Sequence, residues 1–292
     1  MVRDSNKANF PASGSSEPTT FFRGRKMVIA TQHKKEQVIA PLFQELGIVP
    51  LVLPDFDTDQ FGTFAGEVER TQDALSTARL KIQQALALSG ETLGLASEGS
   101  FGPHPQMGFV PADEEVLLLM DLENQLEVAA SKISTNTNYA QQEVSSWKEL
   151  REFAIEVGFP THALILRTNT RLQKGISDWQ SLKDTFREIQ LNGVAVQAEP
   201  DMRAMFNPTR MKVIEKATHL LINKINSVCP VCSYPGFDIV ERKTGLPCLL
   251  CQRPTSLTQS VIHGCRHCHH QLENLFPDGE SSDPLYCLYC NP

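Results

Sequence analysis

The stretch Met27-Val-Ile-Ala-Thr-Gln-His-Lys-Lys-Glu-Gln-Val-Ile-Ala-Pro-Leu-Phe-Gln-Glu-Leu-Gly-Ile-Val-Pro-Leu-Val-Leu53 changes its apolar period twice. Met27–Thr31 is a short, nearly continuous apolar run, the pattern of a buried strand. From Lys35 to Leu46 the period becomes helical, with Val38, Ile39, Leu42, Phe43 and Leu46 on one face, and Gly47 supplies the stop. Ile48–Leu53 then reads as a second strand. Strand, helix and strand in that order are the unit from which α/β folds are built.

The alternation continues outward from this unit. A long helix is predicted over about Glu67–Leu88, with Val68, Leu75, Ala78, Ile82, Ala85 and Leu86 inward, and a strand over Glu91–Ala96. Glu115–Leu122 and Glu127–Ile133 read as a hairpin about Glu123-Asn124. Ser146–Val157 is a helix opened by a capping box of Ser146 and Glu149. His162–Arg167 and Val194–Glu199 are strands, and Asp178–Gln190 and Pro208–Asn226 are helices. The predicted fold is α/β, a mixed central sheet flanked by helices, over residues 25–227. Residues 1–24, rich in Ser, Pro, Thr and Gly, read as a disordered tail. Residues 228–292 form a separate double zinc ribbon.

That ribbon follows from the cysteines. All eight lie in four Cys-x-x-Cys pairs: Cys229/Cys232, Cys248/Cys251, Cys265/Cys268 and Cys287/Cys290. Two such pairs complete a tetrahedral Cys₄ shell, so eight thiolates imply two structural zinc ions. Of the intervening loops of 15, 13 and 18 residues, the first and third fit the common ribbon spacing. The simplest pairing is sequential, Cys229/Cys232 with Cys248/Cys251 and Cys265/Cys268 with Cys287/Cys290; a cross-braced pairing is the open alternative. Four disulfides would need an oxidising compartment, and Met1–Phe10 is polar with no apolar signal segment, so a cytoplasmic protein is expected. His263, His267, His269 and His270 lie nearby and read as ribbon surface.

The 292-residue chain is 41% hydrophobic and 21% charged, with a net charge of −7. Its longest apolar runs are too short to span a bilayer. From Cys229 onward four Lys/Arg face six Asp/Glu, and each zinc-bound Cys₄ set adds about two more negative charges. Binding to nucleic acid rests on neutralising phosphates, so the balance argues against that partner and leaves a protein partner for the zinc module.

Four polar segments at predicted strand ends are candidates for chemistry. Ala30-Thr-Gln-His-Lys-Lys-Glu36 opens a helix, where N–H groups with Thr31, His33, Lys34 and Lys35 suit a phosphate. Glu67 closes a Gly-rich loop at the next helix start. Glu98 sits in Ala96-Ser-Glu-Gly-Ser-Phe-Gly-Pro-His-Pro105 with Ser97, Ser100 and His104. Glu67 and Glu98 are expected to hold Mg²⁺. Glu199–Arg210 carries Asp201, Arg203, Asn207, Thr209 and Arg210 ahead of a helix. An arginine at a helix N-terminus opposes the macrodipole, and contact with a polyanion or a salt bridge to Asp201 explains it.

The phrases Gly62-Thr-Phe-Ala-Gly-Glu67, Ala96–Pro105, Asp201-Met-Arg203, Asn207-Pro-Thr-Arg-Met211 and Gly245-Leu-Pro-Cys248 resemble an uncharacterised bacterial family of unknown function. The layout of the core is more distantly similar to inosine/xanthosine triphosphate pyrophosphatases, through Ala30-Thr31, Glu67, Glu98 and Thr209-Arg210 in that order. His33 and Glu36 stand where that family has its phosphate-binding Asn and Lys, and its base-reading Ser-His-Arg is missing. The expected function is a Mg²⁺-dependent hydrolase or transferase acting on a nucleotide or related phosphate ester. Glu67, Glu98 and Asp201 are its candidate catalytic residues. The alternative is a non-catalytic zinc-ribbon adaptor binding a protein or nucleic-acid partner.

Overall fold

The computed structural model describes residues 21–54, 56, 73–190 and 195–292. The chain divides into compact units, Phe22–Asn223 and Lys224–Pro292. Among the described residues no helix is long and apolar enough to cross a membrane.

The first unit opens with β1 (Lys26–Ala30), α1 (Glu36–Glu45), β2 (Val49–Leu51), α2 (Ala74–Ser89), β3 (Leu93–Pro103), β4 (Pro111–Asp121) and β5 (Leu126–Ser134). Their strands form one mixed sheet of order β2-β1-β3-β4-β5, parallel from β2 to β3 and antiparallel beyond. Gly47, at φ +75°, turns the chain out of α1 as its sequence position implied. Asp73 caps α2 by accepting from Ser76 N at 2.9 Å. The part of the expected helix before Asp73, including Val68, lies outside the described residues.

Right-handed crossovers send α1 and α2 to opposite faces, because β2 lies on one side of β1 and β3 on the other. Ala78, Ile82, Ala85 and Leu86 of α2 pack on Val28, Ala30, Ala96, Leu118 and Met120. Strand alternation explains the match, since Val28 and Ala30 share a parity, as do Ala96 and Glu98. The segment Ser97–Pro103 continues β3 instead of forming a loop, paired with β4 to its end at Pro103↔Pro111.

The unit continues through β6 (Gln142–Val144), α3 (Trp147–Glu156), β7 (Leu164–Arg167), β8 (Leu172–Ile176), α4 (Trp179–Gln190) and β9 (Val196–Pro200). These strands form a second, wholly antiparallel sheet, β6-β9-β7-β8. Ser146 Oγ accepts from Glu149 N at 3.2 Å, and Glu149 returns a bond to Ser145 N at 2.8 Å. Phe153, Phe159, Leu182, Phe186 and Ile189 cover this sheet, flanked by Trp147 and Trp179. Then α5 (Pro208–Asn226) spans the residues its apolar spacing predicted.

The second unit is a three-stranded antiparallel sheet of β10 (Asp238–Thr244), β11 (Thr258–Gly264) and β12 (Gln271–Leu275).

Candidate active site and metal centres

The strand order β2-β1-β3 makes the carboxyl ends of β1 and β3 a topological switch point, where open α/β sheets form their ligand crevices. The parallel pair closes at Ala30↔Ala96, so Thr31 and Ser97 stand side by side just beyond it. Thr31 is buried and its Oγ1 makes no hydrogen bond. It lines a cavity of ≈ 300 Å³ with Gln32, Glu36, Leu53 and Phe56.

Lys35 turns inward from the start of α1. Its Nζ donates to the Ser97 carbonyl at 2.7 Å and lies 3.9 Å from Glu115 Oε2. Glu115 is fully buried on β4 and faces the same side as Ser97 and Gly99, its register partner being Gly99. It accepts from Arg210 Nε at 2.6 Å and from Ser97 Oγ at 3.2 Å. Arg210 comes from the first turn of α5, also donates to the Met202 carbonyl at 2.5 Å and covers the Phe101 ring at 5.0 Å. Its partner is therefore Glu115, not Asp201. An alanine at Gly99 would drive its Cβ into both Arg210 Nη2 and Glu115 Oε1, neither of which is a free flexible end. Gly99→Ala is expected to cost about 2 kcal/mol in urea unfolding.

On the opposite face of β3, Lys81 of α2 meets Glu98 Oε1 at 2.6 Å, and both are buried. Glu98 thus spends its charge on Lys81, and a Mg²⁺ ion there would have to displace an ammonium. Its expected partner Glu67 lies outside the described residues.

The buried charges here act strongly on one another. Burial lowers Lys35 to about 8, outweighing the pull of Glu115. Burial pushes Glu115 up, but Arg210 and Lys35 outweigh it and hold the carboxyl below its usual range. Asp113, on the same face of β4 and 1% exposed, is raised to about 7 by burial and by Glu115, and its Oδ1 makes no hydrogen bond. Burial brings His33 down to about 4, and Lys35, Arg210, Arg203 and Lys81 all push the same way, so it is neutral near pH 7.

Between about pH 4 and 7 the native Asp113 binds the proton that the unfolded chain has released. Its contribution to stability therefore falls as pH rises through that window and stays lost above it. Asp113→Asn is expected to be more stable than wild type at pH 8 by ~2 kcal/mol, with the gap closing toward pH 4. Urea midpoints at the two pH values check this.

The remaining candidates have other employment. Asp201 is buried and holds Arg203 Nη2 at 2.6 Å and Gly175 N at 3.0 Å. Asn207 caps α5, accepting from Arg210 N at 3.0 Å, and donates to Asn138 at 2.9 Å. Thr209 Oγ1 pairs with His162 Nε2 at 2.9 Å. His104 Nδ1 closes the β3–β4 turn by accepting from Gln106 N at 3.2 Å. Ser100 is exposed on β3, and Lys34 is exposed at φ +59°. The structure thus gathers Thr31, His33, Lys35, Ser97, Arg203 and Arg210, and adds Lys81, Asp113 and Glu115.

In the second unit the sulfurs of Cys229, Cys232, Cys265 and Cys268 cluster, as do those of Cys248, Cys251, Cys287 and Cys290, each set within 4.8 Å. The pairing is cross-braced, which corrects the sequential expectation. The cause is strand length. β10, at seven residues, separates the first knuckle from the second by roughly 20 Å. The register Asp238↔Gly264 instead brings the first knuckle to the third. β12 then carries the chain back, and Leu249 N donates to Ser282 O at 2.9 Å beside the second knuckle.

Four sulfurs around a tetrahedral Zn²⁺ at about 2.3 Å stand about 3.8 Å apart. Here Cys229–Cys268, Cys232–Cys265 and Cys251–Cys287 are 3.6 Å apart and Cys248–Cys290 3.9 Å, far beyond disulfide length. Both sets fit zinc. Ser233, Gln252 and His269, each directly after a knuckle, share a left-handed φ of 58–60° and donate back to the first cysteine carbonyl. The nearby histidines stack on rings: His267 on Tyr234, and His263 and His270 on Phe237.

Fold and site together define a mixed α/β protein joined to a cross-braced pair of Cys₄ metal centres. The chain belongs to the DUF6671 family, a domain of unknown function whose sequence pattern matches residues 81–292. No curated protein and no solved structure matches it, so the likeness to inosine/xanthosine triphosphate pyrophosphatases gains no support.

Proposed function

We propose that the α/β unit is a hydrolase or transferase acting on a phosphate-bearing small molecule, bound beyond the carboxyl ends of β1 and β3. The observation that carries this reading is a shortage of negative charge among the described residues. Two buried cations, Lys35 and Arg210, share one ion-paired carboxylate, Glu115, while Asp113 rises to about 7. A phosphate dianion beside Lys35 would supply the missing charge in a low-dielectric site, where such pairing is strong. The unpartnered Thr31 hydroxyl offers it a hydrogen bond.

The same groups suit acid–base work. Neutral His33 can accept a proton from an attacking water or hydroxyl, and protonated Asp113 can supply one to a leaving oxygen. The reading assigns charge neutralisation to Lys35 and Arg210 and does not route it through magnesium at Glu98. The zinc ions are structural, because each closed Cys₄ shell leaves no position for water.

The test is phosphate or pyrophosphate release from a panel of phosphate esters, nucleotides among them, with and without added Mg²⁺. Wild type is expected to turn over at least one ester, and Lys35→Met to lower kcat/KM by about 100-fold. No turnover on any ester, or turnover indifferent to Lys35→Met, contradicts the reading. One observation favours an adaptor role alongside it, the exposed apolar surface of the zinc module.

A further inference from the structure

The two metal centres carry very different knuckles. Around the first, the residues between cysteines are Pro230-Val231 and Arg266-His267. Around the second they are Leu249-Leu250 and Leu288-Tyr289. Leu250 is 72% exposed and Leu288 81%, and Leu249 and Tyr289 are exposed as well. The short helical turn Pro284–Tyr286, directly ahead of the fourth knuckle, adds exposed Leu285 and Tyr286. Both knuckles converge on one metal centre, and Arg253, two residues past the second, covers the Tyr289 ring of the fourth at 4.0 Å. None of these six is needed to hold the sulfurs. Large apolar groups gathered on one surface mark an interaction site, whereas scattered ones mark nothing.

We propose that the second knuckle pair is a docking surface for an apolar protein segment flanked by basic residues. Charge selects this occupant. Residues 229–292 carry six Asp/Glu against four Lys/Arg, and each zinc-bound Cys₄ set brings about two further negative charges. Beside the patch, Asp283 caps the Pro284–Tyr286 turn, accepting from Leu285 N at 2.8 Å, and Glu280 is exposed just ahead of it. The adjacent cation, Arg253, lies over the Tyr289 ring at 4.0 Å. A negative rim repels nucleic acid and the anionic face of a membrane, and it sets two copies of this chain against each other. Basic residues flanking an apolar segment would answer both the rim and the leucines. Leu and Tyr at the centre with charge at the edge is the usual plan of a protein interface. The tyrosines are the expected anchors.

Fluorescence anisotropy on the zinc-loaded full chain tests this with three short synthetic peptides: one built of Leu and Lys, its charge-reversed Leu and Glu counterpart, and one of Lys and Ser without leucine. The Leu/Lys peptide is expected to bind at least about tenfold tighter than either control. Leu249→Ser combined with Leu288→Ser is expected to remove that preference while two zinc ions per chain are retained. Both residues are solvent-facing, so zinc content and circular dichroism report whether the variant folds as wild type. Equal binding of the Leu/Glu peptide, no binding of any peptide, or binding unchanged in the variant each overturns the proposal. So does sedimentation showing a dimer, or binding to phosphatidylserine vesicles, that the double variant abolishes, because either names a different occupant.

Discussion

Arg210→Ala lowers the stability of the α/β unit by about 3–5 kcal/mol. The substitution leaves Glu115 fully buried with Lys35, 3.9 Å away, as its one ion-pair partner among the described residues, and strips the Met202 carbonyl of its donor. The loss is the cost of an uncompensated charge, not the net worth of the ion pair, and a second variant separates the two. Arg210→Met together with Glu115→Leu removes both charges at comparable volume but leaves buried Lys35 without its carboxylate, so it should recover part of the stability. Urea unfolding of the single and double variants measures each quantity. An Arg210→Ala cost below about 1 kcal/mol would mean that water reaches Glu115.

Loss of zinc is expected to have the larger effect. A structural zinc contributes on the order of 10 kcal/mol to a small module, and the second unit buries few apolar side chains apart from its cysteines, chiefly Phe237, Leu246, Val261 and Ile262. Chelation should melt β10–β12. Paired cysteine variants then read the cross-brace directly. Cys229→Ser with Cys265→Ser removes two ligands from one centre and should leave one zinc bound. Cys229→Ser with Cys248→Ser cripples both centres and should leave none. A sequential pairing would give the reverse counts, so metal content by mass spectrometry under native conditions decides between them.

Much of the architecture was legible because it rests on periodicity. The stretch from Met27 to Leu53 switches from strand to helix to strand, and the structure places all three elements within a residue or two of the expected ends. Pro208–Asn226 matches fully, since Pro at its first position and a long apolar stripe leave little choice. The strand expected to end at Ala96 runs on through Ser97–Pro103; Gly99, Ser100 and Gly102 weaken strand propensity there, whereas seven register pairs with β4 hold it extended. β6 and β8 are short, and β8 is interrupted by Gly175 at φ +70°, so neither shows a clear alternation.

The candidate site was half visible. Thr31, His33, Lys35 and Arg210 stood out as polar residues at strand ends and helix starts. Lys81, Asp113 and Glu115 did not, yet each left a trace. Lys81 lies on the same helical stripe as Ala78, Ile82 and Ala85, where a lysine must be buried. Asp113 and Glu115 share the parity of Leu117 and Leu119, which puts two acids on an inward face. The ion pairs themselves were not legible. Arg210 and Glu115 are 95 residues apart, and only the tertiary fold brings them together.

The most direct measurement is a calorimetric titration of the full chain with inorganic pyrophosphate, for wild type and Lys35→Met. Binding is expected at pH 7, where Lys35 is charged, and should weaken by about tenfold at pH 9.5, above its value of about 8. Lys35→Met should bind weakly at both values. No heat of binding at pH 7, or binding that neither alkaline pH nor Lys35→Met alters, would contradict an anion site at the ends of β1 and β3.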